Sequence, residues 1–346
     1  ESASDLNKIS KDRISPWEQT PSVSTNRVSA MTIILLLVGL GLIVLGADWL
    51  VDGASAIARK AGVSEFVIGL TIVGFGTSCP ELVVSLTGAI QGNADISIGN
   101  VIGSNIFNVL FILGITALLM PVSMTEENRK RDIPLTLAAS VILVLFGMNK
   151  TLLGIGNADS LSRLEGIGFL LLFAAYMFFC FKFDPNEQTD MPEQKRMKLP
   201  LAILAVAAGL AGLIFGGELF VDSATALARR LGVSDRFIAI TILAGGTSLP
   251  ELATCIVAAA RHKDQLALGN ILGSNVFNIL LILGCSSVIT PLSFQGMSLV
   301  DAGVLIASCA MLLLWAYSGR KCRIDRWEGA LMLLFIAAYY YYLFVK

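Results

Sequence analysis

Histidine is all but absent from this chain. Its single copy, His262, stands between two apolar runs, and the six cysteines, Cys79, Cys180, Cys255, Cys285, Cys309 and Cys322, show no C-x-x-C pair and no metal-ligand spacing. That argues against zinc and copper centres, which want imidazole or thiolate. It also leaves no nucleophile and base pair on which to build an enzyme, so the cysteines read as free packing thiols. Charge is scarce too: 15% of residues are Asp, Glu, Lys or Arg, against about 25% in an average soluble domain. A net charge of -1 offers no basic field for a nucleic-acid partner. What fills the chain instead is apolar, 55% of it, and that composition belongs in a bilayer.

Residues 1–30 are the exception, polar, rich in Ser and Thr, and interrupted by Pro16 and Pro21. They read as a disordered tail or as an addition to the natural protein, without the cleavage site of a signal peptide. From Met31 onward, runs long enough to cross a hydrocarbon core of ~30 Å recur. In the first half they are Met31 to Leu50, Val63 to Ile90, Ile96 to Met120, Ile133 to Met148 and Leu164 to Phe183. The second half has Leu199 to Val221, Val233 to Ala260, Leu266 to Ile289, Leu299 to Tyr317 and Trp327 to Val345. The expected fold is an all-α polytopic membrane protein of about ten transmembrane helices. Its expected parts are residues 31–183, a polar cytoplasmic linker over 184–198, and residues 199–346.

The two halves are copies. Gly76-Thr77-Ser78-Cys79-Pro80-Glu81 returns as Gly246-Thr247-Ser248-Leu249-Pro250-Glu251, and the stretch Gly99 to Asn108 returns as Gly269 to Asn278. With an ungapped shift of about 170 residues, roughly 31 of about 69 positions from Gly46 to Gly114 match. Five spans per copy, an odd number, force the halves into opposite orientations, the inverted-repeat pattern of secondary transporters. Basic residues set the overall orientation. One set of loops carries Arg59, Lys60, Arg129, Lys130, Arg131, Lys182, Lys195, Arg196, Lys198, Arg261, Lys263, Arg320, Lys321, Arg323 and Arg326. The opposite set has only Lys150, Arg163, Arg229, Arg230, Arg236 and Lys346. The positive-inside bias places both termini outside the cytoplasm.

In the second span of each copy, Gly74, Gly76 and Pro80, and again Gly245, Gly246 and Pro250, crowd helix breakers at mid-span. The helix is expected to break there and to free the carbonyls of Gly74, Phe75, Ala244 and Gly245 for a cation. The acid of each copy, Glu81 or Glu251, follows immediately. A carboxylate at the bilayer centre costs at least ~2.5 kcal/mol, which a bound cation offsets. The surrounding groups are oxygen donors: Thr77, Ser78, Thr247 and Ser248 before the acids, and Ser104, Asn105, Asn108, Ser274, Asn275 and Asn278 on the next span. Ser104 with Asn108, and Ser274 with Asn278, are four apart and share a helical face. Hard oxygen ligands with two carboxylates suit Ca2+ or Na+. Mutual exclusion of the two ions at shared carboxylates is a physical basis for exchange. For Asn100, Asn105, Asn270 and Asn275, interhelical hydrogen bonding is an equal reading. Asp48, Asp52, Glu218 and Asp222 also recur, near expected interfaces, where a solvated or capping role competes with ion entry.

G-T-S-x-P-E followed by G-N-x-x-G-S-N-x-x-N, twice at matching spacing, resembles the cation/Ca2+ exchanger superfamily, in particular its prokaryotic sodium/calcium exchanger branch, over Met31 to Lys346. The resemblance implies ten helices in inverted five-helix halves, a plasma (inner) membrane location, and Na+-driven Ca2+ movement by alternating access. It implies Ca2+ ligands at Glu81, Glu251, Thr77 and Thr247, and Na+ sites adding Ser78, Ser248, Ser104, Ser274, Asn108, Asn278 and the backbone oxygens of Gly74 and Ala244. No cofactor is implied; Ca2+ and Na+ are substrates, and both acids lie in one chain, so a monomer suffices. Asn278, where K+-dependent relatives carry Asp, weakens the alternative of K+ co-transport. An H+/Ca2+ antiporter is disfavoured by the Gly-Ser-Asn sequences, where that branch typically places an acid. A cation channel is disfavoured because filters use a membrane-normal axis.

Overall fold

The computed structural model describes residues 30–155, 157–183, 197–232, 244–318 and 322–345. The tail expected over 1–30 lies outside the described residues except for residue 30, and the linker expected over 184–198 except for residues 197 and 198. The start of the seventh expected span, 233–243, is also outside them. Helix α1 covers Ala30–Ala61; the bent pair α2 and α3 covers Glu65–Thr77 and Cys79–Ile90; α4 is Ala94–Leu119, α5 Ile133–Gly147 and α6 Arg163–Lys182. The second half contributes α7 (Leu199–Arg230), α8 (Leu249–Ala260), α9 (Asp264–Ile289), α10 (Leu299–Ser318) and α11 (Arg326–Val345). Seven of these are long and apolar enough to cross a membrane alone, eight with the α2–α3 pair. The helices α5 and α8, of 15 and 12 residues, fall short of that test.

Local signals explain the ends. Ser64 accepts from the Val67 N–H ahead of α2, and Ser162 with Glu165 forms a reciprocal capping box at α6. After α3 the chain turns at Gly92 with φ 73°, and at the corresponding turn after α8 the lone His262 adopts φ 58°. Its place is a left-handed turn, one of the few settings where a non-glycine residue takes positive φ. The helices α1 and α7 run to 32 residues each, well past the apolar runs expected to end at Leu50 and Val221. In consequence Asp48, Asp52, Glu218 and Asp222 sit inside helices, so the capping reading of them is corrected.

Packing sorts the helices into a centre and a rim. In the spanning windows of α4 and α9, 78% and 94% of residues are buried, against 22% in α1 and 28% in α7. Rim residues such as Leu37, Leu171, Leu204 and Phe215 are exposed and apolar, as a lipid-facing surface requires. Glycines set the closest crossings. A Cβ on Gly46 would stand 2.7 Å from the Gly209 carbonyl across the α1–α7 contact. On Gly273 it would stand 2.3 Å from the Leu70 carbonyl, and on Gly269 2.3 Å from that of Phe66, so α9 lies directly on the backbone of α2. Gly99 and Gly103 meet nothing within 4 Å among the described residues. Two short antiparallel pairs tie loops together: β1 (Val122–Ser123) with β4 (Arg323–Ile324), and β2 (Ser160–Leu161) with β3 (Leu292–Ser293).

Candidate cation site

The helix break falls one turn later than the glycines suggest. Gly74–Thr77 is still helical, the chain leaves the helix at Ser78 (φ −82°, ψ 7°), and α3 restarts at Cys79 with Pro80 in its first turn, at a bend of 49°. Proline is tolerated there because first-turn N–H groups have no helical acceptor. Ser248 repeats the break (φ −91°, ψ 9°) between a short turn at Ala244–Gly246 and α8. The expectation of a freed Gly74 carbonyl is therefore corrected. It accepts from the Ser78 N–H at 3.1 Å, and the Thr77 and Ser274 hydroxyls each lie 3.4 Å from it. The Phe75 carbonyl likewise accepts from the Cys79 thiol at 3.4 Å. Ala244 opens the turn, one helical turn before Ser248.

Each break delivers its acid to the centre, where Glu81 is 1% and Glu251 0% exposed. The contacts cross between the halves. Ser248 donates to Glu81 Oε1 at 3.0 Å and Ser78 donates to Glu251 Oε1 at 3.0 Å. Within each half, Ser104 donates to the same Glu81 oxygen at 3.4 Å and Ser274 to the same Glu251 oxygen at 3.3 Å. The second oxygens, Glu81 Oε2 and Glu251 Oε2, are buried with no partner among the described residues. So are Asn108 Oδ1 and Asn278 Oδ1. Bare buried acceptors are costly unless something fills them. Both asparagines stand where α4 and α9 loosen into a π-helical turn, at Asn108–Ile112 and Phe277–Ile282, a distortion frequent at functional sites.

The threonines are held differently. Thr77 is buried and donates to Asn270 Oδ1 at 3.1 Å, whereas Thr247 is half-buried and reaches Asn100 Oδ1 at 3.5 Å. Asn100 itself donates to the Glu81 carbonyl at 3.1 Å and to Ser85 at 3.0 Å, and Asn270 to the Cys255 sulfur at 3.3 Å. Of the asparagines read equally as hydrogen bonders, Asn100 and Asn270 are thus placed by hydrogen bonds. Ser85 and Cys255 carried no signal in the sequence beyond their equivalent positions in the two copies.

A cavity of about 530 Å3 opens beside Thr247, lined by Cys79, Pro80, Glu218, Val221, Asp222 and Pro250 among others. At another contact of the rim helices with the centre, Arg261 donates to both Asp48 and Asp52 of α1, and Lys263 donates to Ser55 at 2.5 Å with Glu65 at 3.7 Å. All six cysteines are free thiols. No group of three or more His, Cys, Asp and Glu side chains clusters among the described residues, so the buried donors are two carboxylates surrounded by hydroxyls and amides. Hard oxygen donors of this kind suit Na+ or Ca2+.

Over most of its length the chain is similar to known proteins. The "Putative antiporter CaxA" of Alkalimonas amylolytica is 39% identical over 90% of this chain and 98% of its own length. "Sodium/calcium exchanger MaX1" of Methanosarcina acetivorans is 37% identical with the same coverage. A solved structure of the sodium-calcium exchanger NCX_Mj, soaked with Na+ and Sr2+, superposes with a TM-score of 0.76 at 34% identity, over 90% of this chain and 98% of that one. The family described as sodium/calcium exchanger protein matches residues 31–182 and 201–345. With most of its length matched in this way, the chain is an integral membrane transporter and not an enzyme, and it belongs to the sodium/calcium exchanger family.

Proposed function

We propose that this protein exchanges Na+ for Ca2+ across the plasma (inner) membrane by alternating access at Glu81 and Glu251. The observation that carries the reading is the set of four bare, buried oxygens, one on each glutamate and one each on Asn108 and Asn278. An intramembrane acid is costly unless compensated, and these two are arranged reciprocally with serines from the opposite half. Ca2+ takes six to eight oxygens, and the hydroxyls of Thr77, Thr247, Ser78, Ser248, Ser104 and Ser274, with the Ala244 carbonyl, supply the remainder for Ca2+ or for Na+ ions. The full architecture would be ten helices in two inverted halves, α5 and α8 completing the count, with both termini outside the cytoplasm. In that orientation the cavity at Thr247 faces outward and the Arg261 contacts face the cytoplasm.

Radioactive Ca2+ uptake into Na+-loaded proteoliposomes, diluted into medium free of Na+ and K+, tests the coupling. Uptake that depends on internal Na+ is expected, and uptake that waits for external K+ or a proton gradient would transfer the protein to a sister branch. Glu81→Gln and Glu251→Gln should each abolish exchange in protein that still folds; normal exchange in both would remove the carboxylates from the mechanism. The amide at Asn278 leaves the site with two acids only, which is why a K+-independent coupling is preferred.

A further inference from the structure

Four asparagines form a closed relay between α4 and α9. Asn105 Nδ2 donates to the backbone carbonyl of Asn275 at 3.2 Å, and Asn275 Nδ2 donates to that of Asn105 at 3.4 Å. Asn278 Nδ2 donates to Asn105 Oδ1 at 2.9 Å, and Asn108 Nδ2 donates to Asn275 Oδ1 at 3.1 Å. All four side chains are at most 1% exposed.

The direction of every amide in this relay follows from its first link. A backbone carbonyl only accepts, so the amide that meets it presents nitrogen. Once Asn105 and Asn275 present nitrogen to each other's backbone, their side-chain oxygens are turned the other way. An amide oxygen only accepts, so the amides of Asn278 and Asn108 that meet those oxygens present nitrogen to them. The oxygens of Asn108 and Asn278 are then the atoms left over, and they are two of the four bare acceptors at the centre. An unconstrained asparagine can turn either its two donors or its acceptor toward an ion, and the donors would repel a cation.

We infer that Asn105 and Asn275 are positioning residues, each turning the ligand asparagine of the opposite half so that its oxygen faces the cation. The inference rests on the site proposed above. It assigns a purpose to the second asparagine position of the motif, and makes each half responsible for the geometry of the other half's ligand. Partners that orient a metal ligand commonly change affinity by about 10- to 100-fold when removed.

The test is Na+-dependent thermal stabilisation of the full detergent-solubilised chain, which reads ion binding without transport. Asn275→Leu should raise the Na+ concentration for half-maximal stabilisation about tenfold or more. In an Asn108→Ala background, where the amide it orients is gone, Asn275→Leu should add almost nothing; combined with Asn278→Ala, its nearer sequence neighbour, the two effects should multiply. The mirror cycle, Asn105→Leu with Asn278→Ala, should couple in the same way. If Asn275→Leu gives no folded protein, Asn275→Ala goes through the same cycle. Effects of positions 275 and 108 that multiply would overturn the inference. So would a lower melting temperature with an unchanged half-saturation, the mark of a purely structural role. Glu81→Gln and Asn108→Ala, run alone, report on the underlying site: if neither alters the Na+ dependence, the site itself is misplaced.

Discussion

Each buried glutamate carries two serine donors on one oxygen and leaves the other oxygen bare, one donor coming from each half. A hydroxyl is suited to this because it both donates and accepts. It donates to the acid when no ion is present, and can turn its lone pairs to a cation that takes the acid's charge. Ser248→Ala and Ser78→Ala each remove a hydroxyl oxygen that the proposed ion-bound state uses, and each should raise the Na+ half-saturation of Ca2+ uptake by about tenfold, equivalent to about 1.4 kcal/mol. The reciprocal geometry predicts effects of similar size. A much weaker effect of one than of the other, measured in the same liposomes, would show that the two acids are not used alike. Ser85→Ala, which removes only a brace of Asn100, should be milder.

At the scale of helices, the site depends on backbones lying in direct contact. Gly269 and Gly273 bring α9 onto α2, so that Ser274 reaches both Gly74 and Glu251. A Cβ at position 273 would stand 2.3 Å from the Leu70 carbonyl. Overpacking of this kind costs about 1–3 kcal/mol, so Gly273→Ala should lower the melting temperature and weaken ion binding together. Gly168→Ala on α6, whose Cβ would meet nothing within 4 Å, should change neither. The sequence marks close approaches by small residues one turn apart beside Ser274 and equally beside Ser104, but among the described residues only the α9 pair makes one, Gly99 and Gly103 meeting nothing within 4 Å. The spans and the paired acids were legible because apolar runs are measured against bilayer thickness, and duplication separates motif from background. Helix ends were not, since Asp48, Asp52, Glu218 and Asp222 interrupt the apolar run without interrupting the helix. Nor was the exact break, because helical glycines at 74 and 76 look the same in sequence as unwound ones, while Ser78 looks ordinary. The asparagine relay stayed hidden because its bonds join residues 167 to 173 positions apart, and a motif read along one copy does not say which residue of the other it meets.

Across the whole molecule the two halves are alike in ligands and unlike in how they meet the rim helices. Arg261 and Lys263 fasten α1 to the turn after α8, and at the equivalent positions of the first half stand Gln91 and Asn93, which carry no charge. Glu218 and Asp222, the counterparts of Asp48 and Asp52, instead line the open cavity, whose lining holds no Arg or Lys among the described residues. Under the alternating access proposed above, ion pairs at one end, with none on Glu218 or Asp222 among the described residues, would weight the molecule toward the state that is open beside Thr247. The Arg261 pairs are partly exposed, 31% on the arginine and 40% and 38% on Asp48 and Asp52. At about 0.2–1 kcal/mol each, losing two shifts a two-state equilibrium by roughly two- to thirtyfold. Cys79 supplies the readout, since it is the one cysteine among the residues lining this cavity. In Arg261→Gln, modification of Cys79 by a membrane-impermeant thiol reagent added outside should slow, by at most that factor because the rate follows the open fraction, with the Na+ half-saturation of binding shifted far less than by the serine variants. An unchanged modification rate would mean that the arginine braces the fold without weighting one state over the other.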